Sequence, residues 1–299
     1  MSTADATTTP DVALPRAETR RKAKKPRQGQ HPLIWLAVIA IVLFCLFPFY
    51  WLINVSLKTG ADLSGSSLVP PHPSLANYKS IFQNSDFTYG LRNSAIVSLI
   101  TTVLALTVGS FCAYALARLK LRNKFLVLGL VLSITTFPQI AIAAPVFKLW
   151  TDTGLYNTLI GLIIPYLTFA LPLAIYILVS FFKEIPKDLE EAALVDGATH
   201  FQAFRKVVVP LAAPGMATAG ILTFIFAWNE FLLAITLTSS QSARTVPAAI
   251  AFFTGSTQFE QPLGTISAAS VTISIPLIVL VLLFQKRIVA GLTAGAVKG

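Results

Sequence analysis

The sequence predicts an all-α membrane protein with six transmembrane helices, because of its composition and its long apolar runs. Hydrophobic residues make up 55% of the 299-residue chain and charged residues 12%, and that charged share is about half the share usual in soluble domains. A mean hydropathy of +0.71 leaves too little polar surface to cover a water-soluble globule. Both cysteines, Cys45 and Cys112, lie in apolar runs, and the three histidines are scattered. Neither a disulfide scaffold nor a metal site is therefore predicted.

The six expected spans follow from the length of helix that crosses a bilayer, about 20 apolar residues. Four prolines in the third and fourth spans, Pro138, Pro145, Pro165 and Pro172, predict kinks, because lipid does not tolerate an unpaired loop backbone. The spans expected in chain order are residues 32–57, 91–117, 125–150, 157–182, 209–237 and 265–284.

The basic residues predict the orientation of these spans. The net charge is +10, and seven of the 23 Lys and Arg residues precede residue 28, directly ahead of the first apolar run. Because cytoplasmic flanks are rich in Lys and Arg, we expect both termini in the cytoplasm. The expected organisation is a disordered basic segment at 1–30, a membrane domain at 31–290 and a short tail at 291–299. Nucleic-acid binding is not expected, since no basic stripe is interleaved with aromatic residues.

The longest inner connection, residues 183–208, is polar. Pro186 suits a first helical position, and the acidic residues Asp188, Glu190 and Glu191 complement the positive end of a helix dipole. Gly197 can supply a positive-φ turn, after which Phe201 and Phe204 share one helix face. We therefore predict a short helix, a glycine turn and a second short helix. On physical grounds alone, this segment is equally well an amphipathic loop that anchors the chain at the membrane surface.

The spacing within this connection resembles a known motif. Glu191-Ala192-Ala193, then Gly197, then Val207-Val208-Val209-Pro210 resemble the EAA motif of ABC importer permeases. The resemblance implies an ABC type I importer permease fold in which this loop docks onto ATP-binding subunits. It also implies that Glu191 contacts a basic residue of the ATPase, that the two alanines form a thin docking surface and that Gly197 makes the turn. The expected coupling residues are Glu191, Ala192, Ala193, Asp196, Gly197 and Pro210, although Asp196 is also explained by simple solvation.

Two further runs narrow the resemblance. Residues 226–234 and the tail 291–299 are similar to the maltose-permease second-subunit branch of carbohydrate importers, and the similarity covers residues 32–299. This branch implies a bacterial plasma membrane location, a second and different permease subunit, two ATP-binding subunits and an extracytoplasmic solute-binding protein. ATP and Mg²⁺ then bind to the ATPases, and this chain binds no cofactor. The tail is expected to reach between the ATPases. Residues 181–186 and 253–260 resemble mycobacterial trehalose importer permeases, which makes trehalose or a related disaccharide the expected sugar.

A polar cluster in the fifth span is the sharpest signal inside the membrane. A carboxylate at the bilayer centre costs about 3 kcal/mol on insertion scales, so Glu230 is expected to have a function. Together with Trp228 and Asn229 it is a candidate for the translocation path. The alternative is that Glu230 bonds a neighbouring helix and never meets solute. Gln139 and Asn93 are expected to make bonds between helices.

The connection at 238–264 is expected on the outer side. The resemblance implies that it probes the cleft of the binding protein through aromatic and small residues, and ordinary packing on the membrane surface is the alternative. The candidate contact residues are Phe252, Phe253, Gly255 and Phe259.

Two other classes of function fit the residues less well. A membrane-embedded enzyme needs paired acids, a Ser/His pair or a metal cluster, and Glu230 is the one acidic residue expected well inside a span. A secondary transporter is expected to show internal repeats and coupling-ion residues, neither of which is seen. The sequence predicts a transport subunit without enzymatic activity. Another carbohydrate or glycerol phosphate is the alternative substrate.

Overall fold

The computed structural model describes residues 32–253 and 262–294, with side chains up to residue 285. The expected disordered segment 1–30, the loop residues Gly255 and Phe259 and the last five residues of the predicted tail lie outside this part. Every regular element in the described residues is helical, which confirms the all-α prediction. The helices are α1 (Pro32–Ser56), α2 (Ala76–Gln83), α3 (Ser85–Arg118), α4 (Lys124–Thr136), α5 (Gln139–Thr153), α6 (Leu159–Glu184), α7 (Lys187–Val195), α8 (His200–Ala203), α9 (Val209–Leu211), α10 (Ala213–Asn229), α11 (Leu232–Leu237), α12 (Val246–Ala251) and α13 (Leu263–Ala294).

Residues 32–46 form a separate compact unit, the first part of α1. All of their side chains are exposed, although the helix is apolar throughout. An apolar helix exposed on every side is stable in lipid rather than in water. This helix is long and apolar enough to cross a membrane.

The second unit, which begins at Phe47, is built around α3. This 34-residue helix is about 51 Å long at 1.5 Å per residue. Its N-cap residue is Asn84, whose side chain accepts hydrogen bonds from the backbone N–H groups of Asp86 and Phe87 at 2.8 and 3.3 Å. α3 packs most extensively on α6 and next on α10. Small residues allow the close approach, since a Cβ added at Gly109 would lie 3.4 Å from the Cβ of Ala174.

Four single helices are long and apolar enough to span a membrane, and six spans result if each of two bent helix pairs is one span. The first pair, α4 and α5, is bent by 86° at Phe137 and Pro138, which agrees with the kink predicted there. Pro145 lies inside α5, and Pro165 and Pro172 lie inside α6, so the helices continue through these three positions. α13 continues to Ala294 and therefore enters the predicted tail.

The prediction of one continuous span at 209–237 was wrong. The helical segment that ends at Leu211 meets α10 at 76°, and the chain leaves the helix again at Glu230 and Phe231 before α11 begins. Pro214 suits the first turn of α10 because its missing N–H is not needed there. No proline or glycine marks the second break, so the apolar pattern concealed it.

Candidate functional site

The segment after α6 forms the predicted helix, glycine turn and helix. α7 ends at Val195, and Gly197 takes a φ of +87°. The N–H groups of Gly197 and Ala198 donate to the carbonyls of Leu194 and Ala193 at 3.1 and 2.9 Å, the two bonds of a glycine-terminated helix end. Thr199 and Gln202 then form a capping box at the start of α8. The prediction of helix, turn and helix is thus confirmed, and we name residues 187–208 the coupling segment.

All but one of the predicted docking residues are exposed. Because their side chains are not used for packing within this chain, they are free to contact another protein. Glu191, Ala192, Asp196, Gly197 and Pro210 are exposed, and Ala193 is partly buried.

The neighbouring Glu190 is buried, and the sequence argument missed its role. Its carboxylate accepts a hydrogen bond from the Tyr114 hydroxyl and lies 3.6 Å from Nε of Arg118. Arg118 also donates to the carbonyl oxygen of Ile185 at 2.7 Å. One feature of the sequence could have indicated this burial. Leu194 is apolar and lies one helical turn after Glu190, so the two side chains share a face of α7. Leu194 is partly buried in the structure.

An aromatic contact holds the second half of the coupling segment. Ring centroids of Phe201 and Phe204 lie 6.4 and 5.3 Å from that of Phe111. Phe204 also lies 4.9 Å from Tyr114 and 6.3 Å from Phe182. The predicted common face of Phe201 and Phe204 therefore packs on the end of α3.

A cavity of about 440 Å³ opens where two helix breaks meet, the start of α5 and the gap between α10 and α11. Two of the three candidate path residues, Asn229 and Glu230, line it together with Gln139, whose part in a cavity the sequence did not indicate. The cavity therefore combines amide and carboxylate groups with apolar walls. The other lining residues are Ile225, Phe226, Phe231 and Leu232.

Glu230 also has a structural task at this cavity. Its carboxylate accepts hydrogen bonds from the backbone N–H groups of Leu233 and Ala234 at 2.8 and 3.1 Å, which caps the start of α11. Trp228 lies outside the cavity: it is buried, it stacks on Phe224 at 5.6 Å, and its indole N–H donates to the carbonyl of Ile273 at 3.2 Å. Glu230 and Trp228 are thus both tied to neighbouring backbone.

The base of the predicted binding-protein loop is described as far as Phe253. Phe252 is exposed, and the Arg244 guanidinium lies 4.0 Å from its ring centroid. The same guanidinium pairs with Asp86 at 3.7 Å and donates to the carbonyl of Ser239 at 2.9 Å. Phe253 packs 6.3 Å from Phe87 at the start of α3.

Asn93 bonds a loop rather than another helix, contrary to the expectation. Its side-chain amide donates to the carbonyls of Gln241 and Arg244 at 3.0 Å each. The start of α3 therefore holds the loop base that carries Phe252. Within residues 32–253 and 262–294, no group of three or more His, Cys, Asp or Glu residues is placed to hold a metal ion.

Residues 105–293 match the family described as "Binding-protein-dependent transport system inner membrane component". The chain belongs to this family. The match includes the end of α3, the coupling segment, the cavity residues on α10 and the loop base at Phe252. Membership of this inner membrane family agrees with the membrane location predicted from composition.

Two curated relatives match this chain over most of their length. The trehalose transport system permease protein of Mycobacterium tuberculosis is 53% identical over 266 residues, which cover 89% of this chain and 97% of the relative. The trehalose/maltose transport system permease protein of Thermococcus litoralis is 40% identical, with 89% and 96% covered. These matches confirm the resemblance to sugar importer permeases.

A solved structure shares the fold of this chain. It is a crystal structure of a bacterial ABC transporter involved in the import of the acidic polysaccharide alginate. The TM-score is 0.72 at 24% sequence identity, and the alignment covers 87% of this chain and 99% of that one. The type of fold expected from the resemblance, an ABC importer permease, is thus confirmed.

Proposed function

We propose that this chain is one membrane-spanning subunit of an ATP-driven, binding-protein-dependent importer of trehalose or a related disaccharide. The substrate class rests on the two curated relatives, whose names both include trehalose. Maltose, which appears in one of these names, or another carbohydrate is the alternative.

The observation that supports the importer function most directly is the coupling segment. Glu191 and Ala192 of its EAA motif are exposed, while Glu190, Phe201 and Phe204 fix it to α3. A polar helix with small exposed residues, firmly attached on its other side, suits docking into a groove of another protein. We infer that the two partners at this surface are ATP-binding subunits, which hold ATP and Mg²⁺.

The proposed topology counts each bent helix pair as one span, which gives six spans with both termini in the cytoplasm. The coupling segment then lies on the ATPase side, and the loop base at Arg244 and Phe252 lies on the side of the binding protein. A second permease subunit completes the translocation path. This arrangement places one docking surface at each end of α3.

The proposed cycle uses these two surfaces in turn. A loaded binding protein docks outside, and ATP closes the paired ATPases. Their movement reaches this chain through Glu191 and its neighbours and opens the cavity outward, so that the sugar leaves its binding protein. The amide groups of Asn229 and Gln139 are suited to bond sugar hydroxyls, and the cavity volume of about 440 Å³ lies in the range usual for small-molecule sites.

The experiment that tests this function is uptake of labelled trehalose by cells lacking the gene, with and without a plasmid copy. Unlabelled trehalose, maltose and glycerol phosphate serve as competitors. Loss on deletion, rescue by the plasmid and competition by trehalose alone would support the proposal. Unchanged uptake on deletion would overturn trehalose as the sugar. Failure of ATP-binding subunits to co-purify with this chain would overturn the importer assignment.

A further inference from the structure

One face at the end of α3 holds both halves of the coupling segment. Phe111, Tyr114 and Arg118 are spaced three and four residues apart, so they lie along one side of the helix. Glu190 of α7 bonds Tyr114 and pairs with Arg118, while Phe201 and Phe204 pack on Phe111. The helices on both sides of the Gly197 turn are therefore fixed to the same helix.

The polar part of this attachment is almost completely removed from water. The side chains of Arg118 and Glu190 are 3% and 10% exposed. A buried ion pair adds little net stability, because desolvation offsets the attraction, but loss of one partner leaves an unpaired buried charge. Such a pair, with a hydroxyl bonded to the same carboxylate, defines one relative orientation of α7 and α3. We name Tyr114, Arg118 and Glu190 the joint.

The opposite end of α3 is attached to the segment at 241–246. The side-chain amide of Asn93 donates hydrogen bonds to the carbonyls of Gln241 and Arg244. The Ser94 hydroxyl accepts the N–H of Val246 at 2.8 Å. Between these contacts and the joint, α3 is one unbroken helix packed on α6 and α10. A displacement applied at one end of such an element is carried to the other.

We propose that the joint transmits the movement of the coupling segment to α3, and through α3 to the segment that precedes Phe252. Tyr114, Arg118 and Glu190 are positioning residues, since they contact one another and none of them lines the cavity. α7 is only nine residues long and lies between Pro186 and the Gly197 turn. Without the joint, α7 would tilt relative to α3, and α3 would not move with it. This inference rests on the proposed function, because the ATPases supply the movement.

The test uses the whole importer, co-expressed with its partner subunits, purified through a tag on this chain and reconstituted with the binding protein. Tyr114→Phe removes only the hydroxyl, and Glu190→Gln removes only the charge. The matched controls are Tyr176→Phe and Asp152→Asn, at exposed positions outside the joint and outside the connection at 183–208. The readout is the number of labelled trehalose molecules imported per ATP hydrolysed.

We expect this ratio to fall about tenfold in each joint variant, the loss typical of one hydrogen bond to a charged group, while the ATPases still co-purify. The double variant should lose less than the two single losses combined, because both changes act on the same buried carboxylate. If the joint had only a structural role, its variants would reduce the yield of assembled importer but leave the number of trehalose molecules imported per ATP unchanged. That result would overturn the proposed role of the joint.

Failure of the underlying function is visible separately. Unsubstituted importer that binds no ATPases, or imports no labelled trehalose, would overturn the proposed function before any variant is measured. Normal coupling in the unsubstituted importer and in both joint variants would overturn the joint alone.

Discussion

Glu190 and Glu191 are consecutive in the chain but lie in opposite environments. Glu190 is buried against Tyr114 and Arg118, and Glu191 is exposed. Successive side chains of an α-helix point about 100° apart, so two neighbouring carboxylates can serve two different surfaces. One attaches α7 to its own chain, and the other is available to a partner.

Charge reversal at Glu191 tests the partner surface. On the proposed docking surface, we expect Glu191→Arg to insert and fold normally, because the side chain is exposed. We expect it to uncouple the ATP-binding subunits, because arginine would then face the basic residue that the family resemblance implies there. The measurement is the amount of ATPase that co-purifies with this chain, together with trehalose uptake.

Asp152→Arg is the control for Glu191→Arg. It makes the same change of charge at an exposed position of α5, outside the connection at 183–208. Normal uptake in Glu191→Arg cells would remove Glu191 from the docking surface.

Asn229 and Glu230 both line the cavity, and their substitutions should separate transport from stability. Glu230→Ala removes the cap of α11, so we expect a loss of about 1–2 kcal/mol in the free energy of unfolding. Asn229 is exposed to the cavity and bonds only the preceding turn through Ile225 at 2.8 Å. We therefore expect Asn229→Ala to retain the melting temperature and to weaken trehalose uptake. Thermal unfolding in detergent and uptake in cells are the two measurements.

Glu230→Gln keeps one acceptor oxygen for α11 and serves as the intermediate variant. Its melting temperature should lie between those of Glu230→Ala and the unsubstituted protein. A Glu230→Ala protein as stable as the unsubstituted one would contradict the capping role. A stable Asn229→Ala protein with full uptake would remove Asn229 from the translocation path.

Asn157 connects the start of α6 to the loop after α11. It has a φ of +59°, and its side-chain oxygen accepts from the backbone of Ser239 and Ser240 at 2.9 and 3.0 Å. Asn157→Gly keeps the left-handed backbone without strain, whereas Asn157→Ala does not. Both lose the hydrogen bonds, and we expect alanine to be destabilising by about 1 kcal/mol more than glycine. Melting temperatures of the two variants in detergent measure this difference, and equal values would contradict it.

Local chemistry explains which features the sequence predicts well. α7 and the Gly197 turn depend on capping residues, acidic residues and one glycine within a short stretch, so they can be recognised without knowledge of the fold. Pro138 likewise predicts the bend between α4 and α5 because its ring excludes a hydrogen bond.

Tertiary contacts explain what the sequence does not predict. The break at Glu230 depends on a side chain that caps the next helix, within an apolar run that looks continuous. The burial of Glu190 depends on Tyr114 and Arg118, more than 70 positions earlier in the chain. Trp228 was a candidate for the translocation path, but α13 provides the acceptor for its indole N–H.

Arg244 is expected to position the loop base that we propose as a contact of the binding protein. Its planar guanidinium lies over the Phe252 ring and beside Asp86. Arg244→Lys keeps the charge but loses the flat stacking surface and the fork of donors. We expect the binding protein to bind about fivefold more weakly, the equivalent of roughly 1 kcal/mol for one cation–π contact. The measurement is the Kd of the purified binding protein for the importer in nanodiscs.

Two further variants make the Arg244 result specific. Asp86→Asn removes the ion pair and retains the stacking on Phe252, so its effect on the Kd should be smaller, as expected for a partly exposed pair. Arg92→Lys makes the same replacement at an exposed position of α3, whereas the guanidinium over the Phe252 ring belongs to Arg244, and its Kd should match that of the unsubstituted importer. If Arg244→Lys also leaves the Kd unchanged, Phe252 does not belong to the surface that the binding protein contacts, because the loss of its stacking partner would then have no consequence at the interface.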